Sequence, residues 1–184
     1  NRLSHGWCYF APVAKDVEWS WRTEIAMVAL IEGTKAPDFK LITSSGNAYS
    51  LQDELKNKAL VLLAFFKVTC PVVQLEFPYL ERIHRSYPTF PIWGISQDDA
   101  DATTSFAKMY GVTFPLLLDD KLENTVKYDL NIVPSLFLVD KDGVIKQTIV
   151  GFAKADLEKL NTEIATSLGL SVIPLFTSAD EVPA

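Results

Sequence analysis

The spacing of apolar positions changes several times along this chain, and each change marks an element. Leu60-Val61-Leu62-Leu63-Ala64-Phe65-Phe66 is an unbroken apolar run, the pattern of a central strand covered on both faces. From about Pro71 to Tyr87 the pattern becomes helical: Val73, Leu80, Ile83 and Tyr87 draw one apolar stripe. Pro71 suits the first turn, where a missing N–H costs nothing, whereas Pro78 falls mid-helix and is expected to kink it. Pro91 to Ser96 predicts a second central strand. Ala100 to Tyr110, with Asp98-Asp99 before it and Gly111 after it, carries the start and stop signals of a helix. Phe114 to Leu118 and Ser135 to Val139 predict further strands. Asp140-Lys141-Asp142-Gly143 predicts a hairpin turn into a strand over Val144 to Val150, and a last helix is expected from about Lys154 to Leu168. Near the start, Ala36–Leu41 and Gly46–Tyr49 predict a short hairpin around Ser44-Ser45-Gly46. The order is β-β-(short helix)-β-α-β-α-β-α-β-β-α. It predicts an α/β fold, a mixed central β-sheet flanked by helices on both faces.

The two ends differ from this alternating middle. Residues 1–32 hold Trp7, Trp19 and Trp21, three of the chain's four tryptophans, and are expected to form an N-terminal extension that packs on the domain. Residues 33–169 form the domain, and 170–184, with Pro174 and Pro183, an irregular C-terminal tail. With Asn1 in first place, a processed chain or a fragment is expected.

Composition narrows the chemistry. The chain has 184 residues, 48% hydrophobic and 22% charged, with a net charge of −6. That is ordinary for a globular domain and unsuited to neutralising nucleic-acid phosphates. No run approaches the ~20 apolar residues of a membrane span. Two cysteines, Cys8 and Cys70, and two histidines exclude a disulfide framework and leave little for a metal site. No metal or other cofactor is implied.

Attention therefore falls on Cys70, at the junction of the buried strand with the helix. A thiol at a helix N-terminus faces unpaired N–H groups and the positive end of the dipole, which favour the thiolate. Lys67, three residues earlier, adds to that if its side chain turns toward the sulfur. A buried structural cysteine is the plain alternative. Glu76 lies on the apolar stripe, where a carboxylate does not belong. If buried there, its pKa rises and it can pass protons to and from sulfur; otherwise it turns to solvent or pairs with Lys67.

From about Gly33 to Leu168 the chain resembles the redoxin branch of the thioredoxin fold. The resemblance is to the alkyl hydroperoxide reductase/thiol-specific antioxidant family, and within it to periplasmic thiol–disulfide oxidoreductases of cytochrome maturation. It rests on Lys35-Ala36-Pro37-Asp38-Phe39, the strand-to-Cys70 junction, Glu76-Phe77-Pro78-Tyr79-Leu80, Tyr110-Gly111-Val112-Thr113-Phe114-Pro115 and Val133-Pro134-Ser135-Leu136-Phe137-Leu138 with Val139-Asp140-Lys141-Asp142-Gly143. The resemblance implies that Cys70 is the attacking cysteine, Glu76 the buried acid and Pro134 a cis proline facing the sulfur. Val133 would offer its backbone to an extended substrate strand. Thr69 and Pro71, beside the sulfur, complete the candidate substrate-binding set with Val133 and Pro134. The resemblance also implies a periplasmic or cell-envelope location.

The motif departs from the family at two places, and at the first of them Thr69 stands where a tryptophan commonly precedes the cysteine. C-x-x-C would put a second thiol three residues after Cys70, and this chain has Cys70-Pro71-Val72-Val73. A mixed disulfide at Cys70 then waits for an external thiol, without the effective molarity of a held partner, which reaches about 10⁵ M in favourable systems. The peroxidase pattern P-x-x-x-T-x-x-C fails too, with Leu63 and Lys67 at its Pro and Thr places. Cys8 is the remaining internal thiol, and nothing in the sequence brings it to Cys70. Three functions stay open: a single-cysteine thiol–disulfide oxidoreductase served by an external thiol reductant, a one-cysteine peroxidase, and a non-catalytic module binding a partner strand at Val133-Pro134. The first acts on a protein or small-molecule thiol or disulfide.

Overall fold

The computed structural model describes residues 8–9 and 29–180. Trp7, Trp19 and Trp21, on which the reading of 1–32 leaned, lie outside the described residues, as does Pro183. The elements are β1 (Cys8–Tyr9), β2 (Lys40–Ile42), β3 (Ala48–Ser50), α1 (Leu51–Leu55), β4 (Leu60–Phe66), α2 (Pro71–Ser86), β5 (Ile92–Ser96), α3 (Ala100–Tyr110), β6 (Leu116–Leu118), α4 (Glu123–Lys127), β7 (Ile132–Val133), β8 (Ser135–Asp140), β9 (Ile145–Val150) and α5 (Lys154–Ser167).

Five strands make the central sheet in the order β6-β5-β4-β8-β9. β4, β5 and β6 run parallel, and β8 and β9 are antiparallel to their neighbours. This is the mixed sheet expected, and β4 is its middle strand, which is why its run is apolar throughout. Alternate residues of β4 point to opposite faces. Leu62, Ala64 and Phe66 join a core with Val73, Phe77, Leu80 and Ile83 of α2, Phe106 of α3 and Leu157, Leu160 and Ile164 of α5. Val61, Leu63 and Phe65 pack on the other face with Phe39, Leu51 of α1, Trp93 and Tyr128.

Several expected strands begin later than their apolar patterns suggest: β2 starts at Lys40 rather than Ala36, β3 at Ala48 rather than Gly46 and β5 at Ile92 rather than Pro91. β6 starts at Leu116 rather than Phe114, since Pro115 has no N–H to give a ladder. β9 starts at Ile145, because the Val144 amide is taken by Asp140 of the turn. α2 continues through Pro78 to Ser86.

Residues 170–180 form no helix or strand and are firmly fastened. Leu175 is buried in the α2 core, and Phe176 lies against Tyr79 with ring centroids 4.6 Å apart. Asn161 Nδ2 donates to the Ile173 carbonyl (2.8 Å). Before the domain, Leu30 is tied to Tyr128 and Thr148. No helix among the described residues is long and apolar enough to cross a membrane.

Candidate active site

β4 carries the chain to the carboxyl ends of the parallel strands, the place where open α/β sheets collect their chemistry. The turn that follows, Lys67-Val68-Thr69, is pinned from both sides. The Val68 N–H donates to Asp98 Oδ2 (2.8 Å), and the Val68 carbonyl accepts from Gln74 Nε2 (3.0 Å). Gln97 N–H bonds the Phe66 carbonyl, and the Cys70 N–H bonds the Lys67 carbonyl, each at 3.0 Å. The sequence pattern gives Gln74 no role and marks Asp98 only as part of the start signal of α3. Asp98 could have been found from topology, because β5 runs parallel beside β4 and their ends meet.

Cys70 is the N-cap residue of α2, with extended backbone, and its carbonyl takes the first helical bond from Gln74 N–H (3.1 Å). Its sulfur makes no capping bond, and no acidic residue stands in the first turn. The positive end of α2 is therefore left for the sulfur itself. Cys70 is 1% exposed and disulfide-bonded. Its Sγ lies 3.5 Å from the Val133 carbonyl oxygen; a disulfide sulfur has no proton to give, so this is a contact rather than a hydrogen bond.

The other candidate residues surround this junction unequally. Lys67 is half-buried at the head of the turn, and Thr69 and Pro71 are exposed on either side of Cys70. The Val133–Pro134 peptide bond is cis, and Val133 is buried in the same core cluster as Cys70. Glu76 faces that interior as well. It is fully buried and neither carboxylate oxygen has a hydrogen-bonding partner, so it neither turns to solvent nor pairs with Lys67. Burial raises its pKa well above the ordinary carboxylate value. The place three residues after Cys70 holds Val73, fully buried against the sheet.

One feature had no signal in the sequence. The Val133 edge is already occupied by β1, which pairs with β7 antiparallel, Cys8 opposite Val133 and Tyr9 opposite Ile132. A two-residue strand is too short to show a period, and nothing in the sequence connects it to a partner so far along the chain.

Residues 33–148 match the model of the AhpC/TSA family. The chain belongs to that family. Among relatives in sequence, the thioredoxin-like protein YneN of Bacillus subtilis is 33% identical over 138 residues, 72% of this chain and 79% of its own. The thiol-disulfide oxidoreductase ResA of Geobacillus kaustophilus is 29% identical over 153 residues, covering 81% of this chain and 86% of its own. Among solved structures, the thioredoxin domain of a thiol-disulfide oxidoreductase from Bacteroides vulgatus superposes with a TM-score of 0.64 at 25% identity, over 73% of this chain and 99% of that one. This chain is thus a thioredoxin-fold redoxin of the thiol–disulfide oxidoreductase kind. The AhpC/TSA match takes in Cys70, Glu76, Val133 and Pro134 and leaves Cys8 outside it.

Proposed function

We propose that the protein exchanges thiols and disulfides through Cys70, acting on a protein or small-molecule disulfide and drawing its electrons from an external thiol reductant. The observation that carries this reading is the sulfur's position: Cys70 caps α2, it is already engaged in a disulfide, and it touches the Val133 carbonyl. Reduced, the same sulfur meets the uncompensated N-terminus of α2, which favours the attacking thiolate. Lys67 adds positive charge at the head of the turn, and Glu76, held neutral by burial, serves as the proton reservoir behind the site. Thr69 and Pro71 flank the approach to sulfur, and Val133 with Pro134 forms the edge along which an extended substrate pairs. An oxidising compartment such as the periplasm or cell envelope suits a protein that carries a disulfide at its reactive sulfur.

The names of the relatives support a thiol–disulfide role, and the lack of Pro and Thr at Leu63 and Lys67 weighs against a peroxidase. A pure binding module is disfavoured because it has no use for a disulfide at the sulfur that touches the Val133 edge.

The test is exchange by the reduced protein. With a fluorescent peptide disulfide as substrate and a thiol reductant in excess, turnover is expected from the intact chain and none from Cys70→Ser. In parallel, iodoacetamide alkylation of Cys70 across pH should show a thiolate below the ordinary thiol value of about 8.5. An ordinary thiol titration together with no turnover overturns the reading.

A further inference from the structure

The missing motif cysteine leaves a mechanistic gap, and the N-terminal strand lies where it would be filled. Cys70 is disulfide-bonded, and the chain has one other cysteine, Cys8. Independently, the backbone register puts Cys8 opposite Val133, and the Val133 carbonyl oxygen is the atom 3.5 Å from Cys70 Sγ. A covalent observation and a pairing observation converge on one spot. Resting on the reading of Cys70 given above, we propose that Cys8 is the resolving cysteine of this enzyme, delivered by β1 to the edge on which the substrate strand lies.

The electrons balance in two exchanges. The Cys70 thiolate attacks a substrate disulfide; a bond forms between Cys70 and one substrate sulfur, and the other substrate sulfur leaves as a thiolate. Cys8, deprotonated, then attacks Cys70 Sγ; the Cys8–Cys70 bond forms and the second substrate sulfur leaves. The substrate has gained two electrons and the two protein cysteines have lost them. An external thiol reductant returns them by reducing the Cys8–Cys70 disulfide. The second exchange is intramolecular, so it gains the effective concentration that Val73 cannot provide.

The location of β1 gives the step a direction. β1 takes on β7 the place an extended substrate takes, so pairing of β1 and departure of the reduced substrate are one event. The oxidised state is then closed: Cys70 is buried and its edge is filled. Reduction frees the sulfur and the edge together. The helical C-x-x-C arrangement is replaced by a strand that resolves and covers in one movement.

The test uses the full chain, reduced and freed of reductant, with one equivalent of the chromogenic disulfide dithiobisnitrobenzoate. The intact protein is expected to release one thionitrobenzoate quickly and the second in a phase whose rate does not depend on protein concentration, leaving a monomeric chain with an internal disulfide and no adduct by mass. Cys8→Ser is expected to release only the first and keep a stable adduct on Cys70. The double change Cys8→Ser with Tyr9→Cys keeps a thiol in the strand but turns it to the opposite face, and should lose the second phase as well.

A stable adduct on the intact protein, or a second phase that quickens with protein concentration, overturns the proposal and leaves Cys70 as the nucleophile. An undiminished second phase in the double variant overturns the role of strand register. If neither the intact chain nor Cys8→Ser releases the first thionitrobenzoate, the reading of Cys70 falls and this proposal with it.

Discussion

At Glu76 a carboxyl group is sealed in the interior with no hydrogen-bonding partner for either oxygen. Such a group keeps its proton because ionising it in an apolar surround is costly. In the unfolded chain it ionises near the usual value of about 4.3, whereas in the folded chain burial holds the pKa well above that. Between those two values the folded state binds more protons than the unfolded one, so stability falls as pH rises through that window and levels off above the folded pKa. Glu76→Gln removes the ionisation while keeping the shape. Its melting temperature should match the parent's most closely in acid and exceed it by a widening margin toward neutral pH. Thermal melts of both proteins across that range test this, and a margin that does not change with pH counts against it. Glu81 has the opposite character: burial works to raise its carboxyl, but Thr113 and Arg85 outweigh that and hold it below its usual value. Because Glu81 is common to both proteins, the comparison isolates Glu76. Sequence alone could single out Glu76, since a charge on an apolar stripe breaks a pattern, but only packing could decide whether it was buried.

Among the elements, legibility follows length and locality. α3 was readable at both ends because its signals lie within it: Asp99 accepts from the Ala102 N–H, and Gly111 closes it with φ 67°. β4 was readable because its seven residues share one environment. β1 and β7 were not, being two residues each, and paired across most of the chain. The anchoring of Val68 by Asp98 was hidden for the same reason, since its partners belong to different segments. β5 shows the intermediate case. Its pattern was plain, yet the need for Gly94 at its centre appears only in the packed sheet, where a Cβ would overlap Leu116 Cδ2 and come within 3.1 Å of Phe66 Cε1. Leu116 ends in flexible atoms and can yield, but Phe66 is locked between Phe77 and Phe106. Gly94→Ala should therefore lower unfolding stability by about 1–3 kcal/mol, the usual cost of overpacking. Urea unfolding at constant m-value measures this, and an unchanged midpoint would show that the sheet absorbs the methyl group freely.

Across the whole molecule, the segments at either end, which the sequence set apart as appendages, attach by different physics. β1 is held by strand pairing to β7, beside the Val133 carbonyl that Cys70 touches. The tail is held by a polar clamp on the outer side of α2: Arg82 donates to both oxygens of Asp180 at 2.7 and 2.8 Å, and the Thr177 amide and hydroxyl reach Oδ2 at 2.7 and 2.9 Å. These bonds, with Arg82 foremost, hold the Asp180 carboxyl far below its ordinary pKa. The clamp is therefore fully formed above the usual carboxylate range and is lost only as pH falls well into acid. The same segment also inserts Leu175 into the core on the α2 side of the sheet, so clamp and plug hold one another in place. Asp180→Ala should release the clamp while the plug alone retains the tail weakly. Amide exchange over residues 170–180 is then expected to quicken, with little change in β4, β5 and β8, whose ladders the tail does not touch. Protection lost equally across the central sheet would show instead that the tail is part of the domain's cooperative unit, and that the sequence boundary near Leu170 has no energetic counterpart.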